Sequence, residues 1–235
     1  MNILSIIPAR YGSKGVKKKN IKLINGKPLI YYTIKESLKS KFINKTIVST
    51  DNPEIQKISL KYGADCPFLR PKEISGDNIP MIPVVKHVVK KLKEIDNYTP
   101  HYIVILQPTS PLRNYNHIDE CITKLIAKKA HSIVSVTKVP HTSTPYSSMT
   151  LQKNGYLKSN YKTNELNNLR QIKPTFYYRN GAIYMVKNKT LMTRDSLYGS
   201  KILPYEMDKN VSIDIDDETD FLMAEILLKR KKLDV

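Results

Sequence analysis

Apolar positions along this chain come in short runs separated by longer amphipathic stretches. Residues 2–8 (NILSIIP), 45–50 (KTIVST), 102–106 (YIVIL), 132–137 (SIVSVT), 182–186 (AIYMV) and 211–216 (VSIDID) are brief and β-branched, which predicts strands. Between them the amphipathic pattern predicts helices over 28–40, 53–62, 81–95, 117–130 and 218–231. Pro28 and Pro53 suit first helical turns, and Gly63 suits the stop of the second helix. Strands alternating with helices imply an α/β fold, a Rossmann-like, mostly parallel sheet with helices on both faces. Such sheets bind ligands beyond the carboxyl ends of their strands, so the residues there are the candidates for chemistry.

One region breaks the alternation. From about 139 to 180 the chain is rich in Thr, Ser and Asn, yet it carries Tyr146, Tyr156, Tyr161, Phe176, Tyr177 and Tyr178. So many aromatics argue against a solvated linker and for an inserted subdomain that pairs two copies or covers a site. The expected division is an α/β catalytic domain of residues 1–138 and 182–235, with the insertion at 139–181.

Composition narrows the function. With 235 residues, 40% hydrophobic and 26% charged, the chain suits one globular domain with a modest insertion. Cys66 and Cys121 are far apart and match neither a zinc nor a disulfide spacing. No apolar run approaches the roughly 18 residues of a membrane helix, and the first residues read as a buried strand rather than a signal peptide. The expectation is a soluble protein of the reducing cytoplasm, with no membrane partner. The charge is unusual: 39 Lys and Arg against 21 Asp and Glu give +18. That suggests a polyanionic partner, and a basic nucleic-acid-binding protein is the reading from another class. No zinc finger, RNA-recognition signature or helix-turn-helix accompanies the charge. Eight Lys and Arg residues instead precede the first acid, Glu36.

Three segments carry candidate chemistry. Pro8 to Asn20 (PARYGSKGVKKKN) follows the first strand with two glycines, five cations and no acid. A glycine-bearing turn aims backbone amides at phosphate oxygens while Lys and Arg neutralise them, although neither the Walker A nor the dinucleotide spacing is met. In 211–216, strand alternation would set Asp214 and Asp216 on one face, an awkward pair without a cation. Magnesium suits it, taking one or two carboxylates plus phosphate and water oxygens. Asp217 is the cheaper kind of acid, a helix cap. In Leu106 to Arg113 (LQPTSPLR) two prolines fix the turn, and the Gln107 amide is placed to bind hydroxyls or a carbonyl. Ser110 has no His–Asp pair and is not read as a nucleophile. Arg70, near Asp77, is a ribose or base contact or else a solvated arginine. The five histidines lack metal spacing.

Taken together, these segments resemble the acylneuraminate cytidylyltransferases, the CMP-sialic acid synthetase family. The likeness covers almost the whole chain. It runs from Ile7–Arg10 and Gly12–Gly15 to Lys19–Asn20, then Val48–Asp51, Leu69–Pro71, Gln107–Arg113, Arg179–Tyr184 and Ser212–Asp216, in the family's order. The resemblance implies a nucleotidyltransferase-type fold with a small dimerisation subdomain. It also implies transfer of CMP from CTP to the anomeric hydroxyl of a nonulosonic acid, N-acylneuraminate or legionaminate-like, with release of pyrophosphate. Pseudaminic acid and the eight-carbon acid KDO are the alternative acceptors. By position, Arg10 and Lys19 would bind the triphosphate, with Ser13 and Lys14 in the same loop. Asn20 and Arg70 would hold the nucleoside, and Asp77 would lie near the base. Gln107 and Tyr184 would touch the sugar, and Arg170 would reach its carboxylate from the partner of a homodimer. Asp214 and Asp216 would hold Mg²⁺. The catalytic set is then Arg10, Lys19, Asp214 and Asp216. This chain departs from the family's common pattern at Tyr11, at Val16–Lys18 and at Ile79–Met81.

Overall fold

The structure, a computed structural model, describes residues 1–160 and 174–233, the last three as backbone. Six strands form the central sheet: β1 (Ile3–Pro8), β4 (Lys45–Ser49), β5 (Tyr102–Ile105), β6 (Ser132–Lys138), β9 (Tyr177–Lys187) and β10 (Ile202–Glu206). Their order is β10-β6-β9-β5-β1-β4. β1 lies parallel to β4 and β5, pairing Ile6 with both Ile47 and Ile105, and β6 is parallel to β10. β9 runs antiparallel between β5 and β6. Two short ribbons complete the strands, β2 (Leu23–Ile24) with β3 (Lys27–Pro28) and β7 (Met149–Leu151) with β8 (Leu157–Ser159).

Helices cover both faces, as the alternation predicts: α1 (Leu29–Leu38), α2 (Pro53–Lys61), α3 (Met81–Asp96), α4 (Tyr115–Ala127), α5 (Asn188–Arg194) and α6 (Glu218–Leu233). Side chains alternate across the sheet, so neighbouring residues of β1 enter different cores. Ile3 and Ile7 pack with Ile30 and Ile34 of α1, Ile55 of α2 and Ile118 and Ile122 of α4. Leu4 and Ile6 pack with Val85, Val88 and Leu92 of α3 and Leu191 of α5. Each fully buried side chain of this size contributes about 2 kcal/mol through apolar burial. Local chemistry sets the helix ends. The Asn52 side chain accepts from the N–H groups of Glu54 and Ile55 at the start of α2, and Asn114 forms a capping box with His117 at the start of α4.

The structure corrects several expectations. Residues 211–216 are not a strand: a 3-10 turn at Lys209–Val211 leads into irregular chain without a ladder partner. β9 begins at Tyr177, so the expected border after residue 181 falls inside a sheet strand. β10 and α5 were not anticipated. Pro204 and the half-exposed side chains of β10 are what an edge strand tolerates, and they erase its apolar signal. Of the insertion, the described residues form a 3-10 turn at His141–Ser143 and the β7–β8 hairpin, with Tyr146 packed edge-on against Phe176. Met149, Leu151, Tyr156 and Leu157 are exposed there. Tyr161 and Arg170 lie outside the described residues. No helix among the described residues is long and apolar enough to cross a membrane.

One buried cation ties the layers together. Arg113 is 1% exposed, and its Nη1 donates to the carbonyls of Gln107 (3.1 Å) and Ala182 (2.7 Å). Its Nη2 donates to Thr33 Oγ1 of α1 at 2.7 Å. Burial pulls the guanidinium down to about 9, opposed by the charge of Glu36, so it stays protonated at neutral pH. Replacing Arg113 with Ala takes the Nη1 donor from the Ala182 carbonyl, weakens the bonding of Gln107 and Thr33, which keep their mutual bond, and opens a cavity. The expected loss is about 3 kcal/mol or more in urea unfolding followed by circular dichroism; an unchanged midpoint would contradict the clamp.

Candidate active site

The loop after β1 is shaped by its own polar groups. The Tyr11 N–H donates to Asp51 Oδ1 (2.9 Å), and Asn20 Nδ2 donates to the Arg10 carbonyl (2.8 Å). The Ser13 hydroxyl donates to the Val16 carbonyl and accepts the Lys19 N–H at 3.2 Å. Val16, fully buried, pins the loop beside Ile24, Leu29, Leu112 and Ile215. This folding sorts the five cations. Arg10, Lys14 and Lys19 line a cavity of about 560 Å³, whereas Lys17 and Lys18 turn towards a separate surface with Glu54 and Glu218.

That cavity brings together most of the residues singled out from sequence. Arg10, Ser13, Lys14, Lys19, Asn20, Arg70, Asp77, Gln107, Asp214 and Asp216 all line it, at the carboxyl ends of β1 and β5. Ile74, Ile79, Met81 and Val84 add an apolar wall that suits a base, a contribution that the sequence reading missed. Tyr184 stands outside this lining, half-buried against the cluster that holds Leu4, Ile6, Ile103 and Ile105. Burial is the main force raising its phenol, with Asp214 and Arg179 also acting on it.

The acidic segment is held against the loop. A Cβ on Gly15 would lie 1.9 Å from the Asp216 carbonyl oxygen, so the loop passes here only as glycine. Lys19 Nζ donates to the Ile215 carbonyl at 2.6 Å and sits 3.8 Å from Asp216 Oδ1. The Ile215 N–H donates to the Thr109 carbonyl (2.9 Å), and the Thr109 hydroxyl bonds the Asp214 carboxylate. Asp217 caps α6 as expected: its carboxylate accepts the Asp220 N–H while Asp220 accepts from Asp216 and Asp217. Asp214 and Asp216 therefore share one cavity because Ile215 between them is buried, not because of strand pairing. Gly181, at φ +76°, leaves room where a Cβ would sit 2.6 Å from Asp214 Oδ2 and 2.8 Å from Gln107 Oε1. Gln107 and Asp214 thus converge over it.

Charge in the cavity is largely paired within the protein. Arg10 Nη1 donates to Asp77 Oδ1, and Lys14 Nζ is 3.3 Å from Asp77 Oδ2. Asp77 therefore holds cations that a phosphate would claim. Arg70 is buried with its guanidinium on the Ser49 hydroxyl and carbonyl, and burial pulls it down to about 10. Asp214 is raised above its ordinary 3.8 mainly by burial and also by the charge of Asp216, while Thr109 and Lys19 oppose the rise. Among the described residues no group of three or more His, Cys, Asp or Glu side chains surrounds a metal-sized space. The pair Asp214–Asp216 suits an ion that takes its other ligands from phosphate and water, as Mg²⁺ does.

A raised folded-state value means that the folded protein holds the Asp214 proton more tightly than the unfolded chain, so stability falls as pH rises through that window. In chelator-treated protein, Asp214→Asn should therefore melt higher than the wild type at about pH 8. The gain should vanish as pH falls below 3.8, the ordinary Asp value. A melting-temperature series against pH checks this, and a pH-independent difference would contradict it.

The chain is similar to known proteins. The family model described as Cytidylyltransferase matches residues 4–233. The chain is 35% identical to the N-acylneuraminate cytidylyltransferase of Escherichia coli O18:K1:H7 over 98% of its own length, but spans about half (52%) of that relative. It is 32% identical to the CMP-N,N'-diacetyllegionaminic acid synthase of Campylobacter jejuni, covering 98% of this chain and 97% of that one. In fold it is similar to a solved CMP:2-keto-3-deoxy-manno-octonic acid synthetase complexed with CTP, with a TM-score of 0.74 at 16% identity over 98% and 100% of the two chains. Because the family match runs from the first strand to the last helix and takes in every residue lining the cleft, the chain belongs to the cytidylyltransferase family.

Proposed function

We propose that this protein transfers CMP from CTP to the anomeric hydroxyl of a nonulosonic acid of the N-acylneuraminate or legionaminate type. The hydroxyl oxygen attacks the α-phosphorus, the bond from phosphorus to the bridging oxygen of the β-phosphate breaks, and pyrophosphate leaves. The observation that carries this reading is the single cleft in which a cationic glycine loop meets two carboxylates across Lys19. The two sialic- and legionaminic-acid relatives support the choice of acceptor.

Position in the cleft supports the following roles for all but Tyr184, whose role rests on the family resemblance. Arg10, Ser13, Lys14 and Lys19 take the triphosphate, Asp77 being displaced from Arg10 and Lys14 as phosphate enters. Asn20 and Arg70, with the apolar wall at Ile79 and Met81, hold the nucleoside. Gln107 and Tyr184 contact the sugar. Asp214 and Asp216 would hold Mg²⁺, which supplies charge stabilisation to the attacking and leaving oxygens. Lys19, braced on Ile215, adds a positioned cation where negative charge grows. The exposed apolar side chains of the β7–β8 hairpin support pairing of two copies through the insertion. A CTP-consuming enzyme of this kind would work in the cytoplasm.

Incubation with CTP, Mg²⁺ and a panel of neuraminic, legionaminic and pseudaminic acids, with KDO as a further arm, should release pyrophosphate and yield a CMP-sugar identified by mass spectrometry. Silence with every acid would overturn the reading, and turnover of KDO alone would move the acceptor to the eight-carbon class. Lys19→Ala should raise the KM for CTP and lower kcat, for a combined fall of about a hundredfold or more. Asp216→Asn should abolish turnover with an unchanged far-ultraviolet spectrum. Normal turnover of Asp216→Asn at saturating Mg²⁺ would exclude the metal role.

A further inference from the structure

Asp214 and Asp216 face two spaces. One is the nucleotide cleft; the other, of about 600 Å³, opens on their far side between the start of β9 and α6. On the function proposed above, on which this inference rests, the acceptor is itself an acid. In a nonulosonic acid the carboxylate and the anomeric hydroxyl share one carbon. Bringing the hydroxyl to the acid pair therefore brings a third negative charge with it, and at short range in a partly desolvated site those charges repel. Mg²⁺ on the pair would offset the two aspartates, which leaves the acceptor's own carboxylate to be matched by a further cation.

The cleft's own cations are committed elsewhere. Arg10 and Lys14 pair with Asp77 until the triphosphate takes them, and Lys19 is bound to the Ile215 carbonyl next to Asp216. On the far side stands Arg179, which lines the second space and has no carboxylate partner among the described residues. Its guanidinium is held in place, since Nη1 donates to the Tyr198 hydroxyl and the group lies 5.8 Å from that ring's centroid. A guanidinium fixed through one N–H keeps further donors free for a planar, two-point grip on a carboxylate. Lys209, the other cation of this space, is a flexible ammonium on an exposed turn. Arg179 shares its strand with Gly181 and Tyr184, and the Tyr184 phenol feels the charges of both Arg179 and Asp214.

We propose that Arg179 binds the acceptor's carboxylate and so aims the hydroxyl on the same carbon at the acid pair, with Tyr198 as the positioning residue behind it. Arg179 is exposed, so substitution there leaves the core untouched.

The test is steady-state kinetics on the full chain with CTP, Mg²⁺ and the sugar acid that the wild type turns over, together with the methyl ester of that acid. Arg179→Gln should raise the KM for the sugar acid by tenfold to a hundredfold and leave the KM for CTP and the melting temperature as in the wild type. It should also erase the wild-type preference for acid over ester. Arg179→Lys should recover part of the loss, and Tyr198→Phe should raise the sugar KM severalfold. An unchanged sugar KM in Arg179→Gln, an equal loss for acid and ester, or a loss found only in Arg170→Ala would each overturn the inference while leaving the proposed reaction standing. A wild type inert towards every sugar acid would instead remove the reaction itself, and the inference with it.

Discussion

The site depends on one close approach. Residues near the start of the chain and residues near its end meet where Gly15 passes the Asp216 carbonyl, with no room for a side chain between them. Lys19 braces the same contact from the side by bonding the Ile215 carbonyl. Beneath the polar surface, Val16 from the loop and Ile215 from the acidic segment sink into one apolar cluster with Leu112, Phe221 and Leu228. Cations and carboxylates that would drift apart on free loops are thereby seated on a packed base. Their separation is set by core packing, which is stiffer than any surface ion pair.

This seating changes what the net charge means. The total of +18 suggests a broad attraction for polyanions, yet the charges near the cleft are mostly balanced by partners. Asp77 pairs with Arg10 and Lys14, while Lys17 and Lys18 face away. Elsewhere Lys45 pairs with Asp96 at 2.8 Å and Lys91 with Glu94 at 2.9 Å, surface contacts that solvent screens. Function therefore resides in which cations share a cavity, and the sum over the surface is a poor guide to it.

Periodicity made β1, β4, β5 and β6 legible because each is a short run centred on Ile and Val and buried on both faces. The cleft was legible too, since its cations and acids sit in compact segments, and ten of the twelve residues singled out line one cavity. Tyr184 is not part of that lining and Arg170 lies outside the described residues. What stayed hidden was tertiary. Asp214 and Asp216 alternate like strand residues, but a strand exists only where a neighbour completes the ladder, and none does here. Arg113 looks like an ordinary loop cation until its burial against three acceptors is seen. Thr109 and Gly181 carry no chemical signal of their own, and they matter only because Asp214 lies against them. The edge strand β10 was lost for the opposite reason, since half its side chains face solvent.

The direction of β9 explains why the insertion bears on the site at all. A parallel strand between β5 and β6 would begin at the far end of the sheet, remote from the ligand. Running antiparallel, β9 starts beside the carboxyl end of β6, with Tyr177 paired to Lys138. The insertion consequently leaves and re-enters the sheet at the ligand end, and the first residues of β9 deliver Arg179, Asn180 and Gly181 directly to the acid pair. Asn180 then locks that entry, donating to Ser212 Oγ at 2.9 Å and accepting from Ser135 Oγ at 2.6 Å. One side of the cleft is built mainly from the β1 loop, residues 70–84 and the end of β5, whereas the opposite side is built from β9, α6 and the turn before it. On the proposed function, such a division would let residues at the start of β9 change what acceptor is admitted without moving the groups proposed to hold the triphosphate. The strand that interrupts the parallel order would then be the place where acceptor selectivity is set.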